Sequence, residues 1–149
     1  MPAGPSILGF VYFVGVKFAG YTAAAYVLKK AYTESPAGVA KVGAARTGIG
    51  IGAGLAYGAL WFLVATKMFH SDEPGHGAQT AIAEYAYLVG LLPVRLVEWM
   101  LLLHLFFDRN LKNRAKDAKS AFAGTAWSYC LDAIGIAAAL VIPGGIWVC

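Results

Sequence analysis

Four stretches of the chain stay apolar over membrane length, and three of them carry charge near their centres. A bilayer core takes about 20 mainly apolar residues per helix. On that length the pattern predicts spans at residues 6–28, 47–68, 81–107 and 121–142. Pro2 and Pro5 precede the first, and Lys29 and Lys30 close it. The second has no charge before Lys67, the third is long enough to tilt, and the fourth stops at Pro143-Gly144-Gly145. The expected fold is all-α: one domain forming an integral membrane four-helix up-and-down bundle.

Composition supports this reading. The 149 residues are 59% hydrophobic and 13% charged, with mean hydropathy +0.62, whereas a soluble domain carries about 25% charged residues. Charge is too scarce to cover a water-facing surface. The first segment has no basic stretch before it and is interrupted by Lys17, so it reads as a retained span rather than a cleaved signal peptide.

The net charge of +4 is distributed unevenly: nine of twelve Lys/Arg fall within residues 29–46 and 109–119. Basic connectors face the cytoplasm. Both termini and the loop from His70 to Gln79 are therefore expected on the outer side, in a bacterial inner membrane. Without aromatic interleaving or a matching fold, the basic connectors do not suggest nucleic acid. Cys130 and Cys149 are 19 residues apart, roughly 28 Å along a helix, and cannot pair with each other.

Lys17, Arg95 and Asp132 lie near the centres of spans 1, 3 and 4, with Glu98 one turn from Arg95. Residues 84, 91, 95, 98 and 102 follow the spacing of one helix face, which adds Glu84 to the stripe. At about 2.5–3.5 kcal/mol per charge, leaving four in lipid would cost roughly 10–14 kcal/mol. Inward pairing removes most of that, and the expected pairs are Arg95–Asp132 and Lys17–Glu98. Two positive and two negative groups balance, as in a neutral lock that sets helix register. A proton or ion path is the competing reading, because intramembrane ionisable groups often mark one.

Gly50, Gly54 and Gly58 recur every fourth residue in span 2, a spacing that lets helix backbones approach closely within the chain or between subunits. His104 would lie near the inner end of span 3, as an interfacial hydrogen bonder or one ligand of a haem shared with another subunit. His70 and His76, with Asp72 and Glu73, could ligate a transition metal, although such loops are usually just solvated. Ser128 and Asp132 lie one turn apart without a histidine at their depth, so nucleophilic chemistry lacks a base. Ser128 with Gly124 reads instead as a small-residue packing stripe.

The residues thus point to a non-enzymatic integral membrane subunit or oligomer-forming scaffold, with membrane lipid and other subunits or further copies as partners. A small carrier or channel for protons, ions or a small polar solute is the alternative. A lipid- or quinone-acting membrane enzyme, using Arg95 and His104, ranks below both. The sequence does not identify a cofactor.

Overall fold

The computed structural model describes residues 7–32, 37–68, 77–109 and 111–138 (backbone only at 65–68, 77–84, 136 and 138). These residues form four helices: α1 (Ile7–Ala31), α2 (Val39–Met68), α3 (Gly77–Phe106) and α4 (Arg114–Ala138). In the connector before α4, Leu111 adopts a φ of 47°. There the Asp108 carboxylate accepts from the Lys112 amide at 2.8 Å. Asn113 Oδ1 then accepts from the Lys116 amide at 3.2 Å, the geometry of a helix N-cap.

Connectors of seven or eight residues reach at most about 29 Å. Helices of 25 and 30 residues are roughly 37–45 Å long. Each connector is too short to return to a helix's far end, so successive helices run antiparallel. Cross-contacts agree. Tyr32, just past α1, meets Asp117 at the start of α4 and Phe107 at the end of α3. Tyr57 in α2 meets Tyr87 in α3 at the other end.

The helices pack in a ring: α1 on α2, α2 on α3, α3 on α4, and α4 back on α1. Diagonal partners meet through large side chains at the centre, where the Tyr21 and Trp99 rings lie edge to face with centroids 5.9 Å apart. Among the described residues, glycines mark close approaches at Gly20, Gly43, Gly90 and Gly124. A Cβ on Gly43 would meet the Thr22 backbone at 3.0 Å, and one on Gly124 would press into the Trp99 ring.

Polarity is reversed relative to a water-soluble bundle. Lys17, Arg46, Arg95, Glu98, Asp117 and Asp132 are buried, whereas Ile7, Phe62, Tyr85 and Val89 are each at least 67% exposed. Three helical segments are long and apolar enough to cross a membrane: Ile7–Ala31, Val39–Val64 and Tyr85–Phe106. Over its described residues α4 is not among them. Thr125, Ser128, Tyr129 and Asp132 lower its hydropathy, and it starts at Arg114 rather than near residue 121.

The expected start of span 2 also needs correction. α2 begins at Val39, eight residues before the expected boundary, because Val39, Val42 and Arg46 continue the inward face beyond the apolar run. Arg46 therefore belongs to the bundle and not to a basic connector.

Candidate functional site

Five charged residues, each no more than 4% exposed, meet through their side chains at the centre of the bundle. Asp132 on α4 accepts from Lys17 Nζ of α1 through Oδ1. Its Oδ2 accepts from Arg95 Nη2 of α3 at 3.0 Å. Arg95 Nη1 lies 3.5 Å from Glu98 Oε2, one turn along the same helix. Glu98 Oε2 also accepts from Arg46 Nη2 of α2 at 2.6 Å. The order Lys17–Asp132–Arg95–Glu98–Arg46 alternates in sign and draws on all four helices.

The terminal cations converge on one ring. Arg46 Cζ lies 4.7 Å and Lys17 Nζ 5.7 Å from the Tyr21 centroid, with Trp99 4.9 Å from Arg46 on another side. The negative ring faces attract both cations. Ser128 ties these groups to α4. Its Oγ accepts from Trp99 Nε1 at 3.0 Å, the Tyr21 hydroxyl at 3.3 Å and Arg46 Nη2 at 3.4 Å.

Ring order explains which charges pair. α1 neighbours α2 and α4, so Lys17 reaches Asp132 rather than the expected Glu98. α3 neighbours α2, so Glu98 takes Arg46. The structure brings Arg95 and Asp132 together. Residues 91, 95, 98 and 102 form a buried stripe on α3. Glu84 lies on the α3 backbone, but its side chain is outside the described residues, as are His70 and His76 entirely. His104 is exposed near the end of α3. Among the described residues no three His, Cys, Asp or Glu gather as a metal site requires.

Arg46 and Ser128 are the contributors that sequence reasoning missed. The signal for Arg46 was the inward face continued backward by Val39 and Val42. For Ser128 nothing local marked the convergence of three donors.

Counting Arg46, the cluster holds three cations and two anions, a formal excess of one positive charge. Nε and Nη1 of Arg46 and of Arg95 donate no hydrogen bond among the described atoms. Both Nη1 groups face Gly50, where a Cβ would sit 3.1 Å from Arg46 and 3.8 Å from Arg95. A void of about 10 Å³ between Lys17, Tyr21, Thr47 and Gly50 is at the lower limit for one water.

The glycine stripe divides differently from the expectation. Gly50 and Gly54 are buried, with Gly50 making room for guanidinium groups rather than for a helix backbone. A side chain at Gly58 would meet nothing within 4 Å, and the same holds at exposed Gly48 and Gly52.

Below the cluster, at the end carrying the connectors 32–38 and 107–113, the Tyr32 hydroxyl donates to Asp117 Oδ1 at 2.7 Å and lies 3.2 Å from Ser120 Oγ. Burial pushes the Tyr32 phenol up to about 12; the Ser120 hydrogen bond opposes this and Asp117 adds to it. Comparison with protein-family models, curated proteins and solved structures finds no match.

Proposed function

We propose that the chain is an integral membrane protein of four spans that works as a non-enzymatic subunit or oligomer-forming scaffold. Its basic end would lie in the cytoplasm of a bacterial inner membrane and both termini outside. One observation carries the reading: five buried charges from four helices are engaged with one another in an alternating chain. Exposed one by one to hydrocarbon, they would cost roughly 12–18 kcal/mol. Held together, they select a single register and ring order, the best-attested use of buried polar groups. The outward small-residue row Ala44, Gly48, Gly52 and Ala56 on α2 supports a neighbouring helix there, since such rows permit close approach in lipid.

A double-mutant cycle on Arg46 and Glu98, read by thermal unfolding in detergent, tests the lock. Glu98→Leu strands the buried Arg46 charge, and Arg46→Met leaves Glu98 only its 3.5 Å contact with Arg95. Each is expected to cost about 3–5 kcal/mol, with the double variant far less than additive. Near-neutral single variants would remove the lock. Native mass spectrometry of gently solubilised protein tests the scaffold: oligomers weakened by Gly52→Leu support it, and a monomer throughout defeats it.

The excess positive charge favours one further reading, a carrier for a small anion held beside Gly50 at Arg46 Nη1, which donates no hydrogen bond among the described atoms. Chloride flux through reconstituted vesicles that stops in Gly50→Leu would replace the scaffold with the carrier.

A further inference from the structure

An apolar groove runs between α1 and α4 on the basic half of the bundle. Ala23, Ala31, Ala123 and Gly124 recess its walls, Trp99 forms its floor and Trp127 its rim. Its volume of about 360 Å³ falls within the roughly 300–1,000 Å³ typical of small-ligand sites. Trp127 is pinned across the groove, its Nε1 donating to the Gly20 carbonyl at 2.9 Å.

Lysines cluster at one end. Lys116 Nζ donates to the carbonyl of Ala31, a wall residue, at 2.6 Å and lies 4.1 Å over the Tyr32 ring. Lys119 is one helical turn before Ala123 on α4, and Lys30 is three residues past Val27 on α1, so helical register sets them on either flank. Both are exposed. Asp117, the acid on the same turn, points inward to the Tyr32 hydroxyl and leaves the groove mouth cationic. Lys30 Nζ rests 4.7 Å over the ring of Tyr26 on its outer flank. The slot thus has apolar walls, one ammonium group at its end and two more on its flanks, which matches a molecule with one hydrocarbon chain beneath an anionic head.

We propose that this groove is a specific site for an anionic phospholipid, with one acyl chain in the slot and the phosphate between Lys30, Lys116 and Lys119. The proposal rests on the membrane reading above but not on the scaffold role. Lysine stems run along apolar surface while their heads stay at the polar boundary, which puts the three charges at headgroup depth. A phosphatidylcholine head, with its own cation, gains little from them. Each lysine near an anionic headgroup strengthens binding roughly fivefold.

The test uses the full chain carrying Trp61→Phe and Trp147→Phe, so that fluorescence reports Trp99 and Trp127 in the groove. The protein is reconstituted into phosphatidylcholine vesicles containing a small fraction of lipid with brominated acyl chains. Brominated phosphatidylglycerol should quench at a several-fold lower mole fraction than brominated phosphatidylcholine. That preference should vanish in Lys30→Gln/Lys116→Gln/Lys119→Gln. In Ala23→Leu/Ala123→Leu, which fills the slot but keeps the lysines, quenching by both lipids should fall. Equal quenching by the two lipids overturns the site, and so does a preference that survives loss of the lysines. Flotation with the vesicles is scored separately: protein that does not float refutes the membrane reading, whereas floating protein without lipid preference refutes only the groove assignment.

Discussion

Tyr32 stands one residue beyond α1, with its hydroxyl on a carboxylate whose second oxygen, Asp117 Oδ2, has no hydrogen-bond partner among the described residues. Tyr32→Phe leaves that buried carboxylate unsatisfied, and the expected cost is about 1–3 kcal/mol, measurable by thermal unfolding at pH 7. The alkaline limb gives a second readout. Folding raises the phenol from 10.0 to about 12, so the unfolded chain releases this proton first. The stabilisation is intact below pH 10 and is lost as pH rises towards 12. The variant should lack that loss, and identical alkaline curves for the two proteins would contradict the assignment. Arg46 shows why single residues are hard to read from the chain. Its charge beside Lys41 resembles a cytoplasmic flank, and only the extra turns of α2 carry it between Tyr21 and Trp99.

At the scale of helices, backbone approach separates glycines that look alike in sequence. Gly43 and Gly124 abut Thr22 and Trp99, while nothing lies within 4 Å of a side chain added at Gly48. Alanine at Gly43 or Gly124 is expected to cost about 1–3 kcal/mol through overpacking. At Gly48 it should be neutral or gain up to about 1 kcal/mol of helix propensity. Thermal unfolding of the three variants decides this, and a uniform response would mean the helices are not docked as described. The existence of the helices was legible because apolar length is a local property. Their ends were less so, since α2 and α4 both extend into segments rich in lysine and arginine. The inward row on α3 was legible from spacing alone, and the role of Gly50 was not, because it faces side chains from its own helix and from α3.

For the whole molecule, the antiparallel ring places the connectors 32–38 and 107–113 at one end and the start of α1 at the other. In a background of Cys130→Ser and Cys149→Ser, a membrane-impermeant maleimide should label Ala37→Cys and Lys112→Cys from the same side of sealed vesicles. Ile7→Cys should label from the opposite side. Labelling of positions 37 and 112 from opposite sides would rule out the bundle. The same architecture opens the α1–α4 groove next to the basic end, which joins lipid selection to the arrangement of the helices.

Hydropathy and charge along the chain were sufficient to establish long apolar helices and to require that Lys17, Arg95, Glu98 and Asp132 turn inward. Both follow from the free energy of single residues in their immediate stretch. Which charge meets which was decided only by the tertiary structure. Lys17, Glu98 and Asp132 lie at similar depth, so pairing depends on which helices are neighbours, and that order arises from packing between segments far apart in sequence. The same ring order brought Arg46 inside and turned a balanced set of four charges into a cationic set of five.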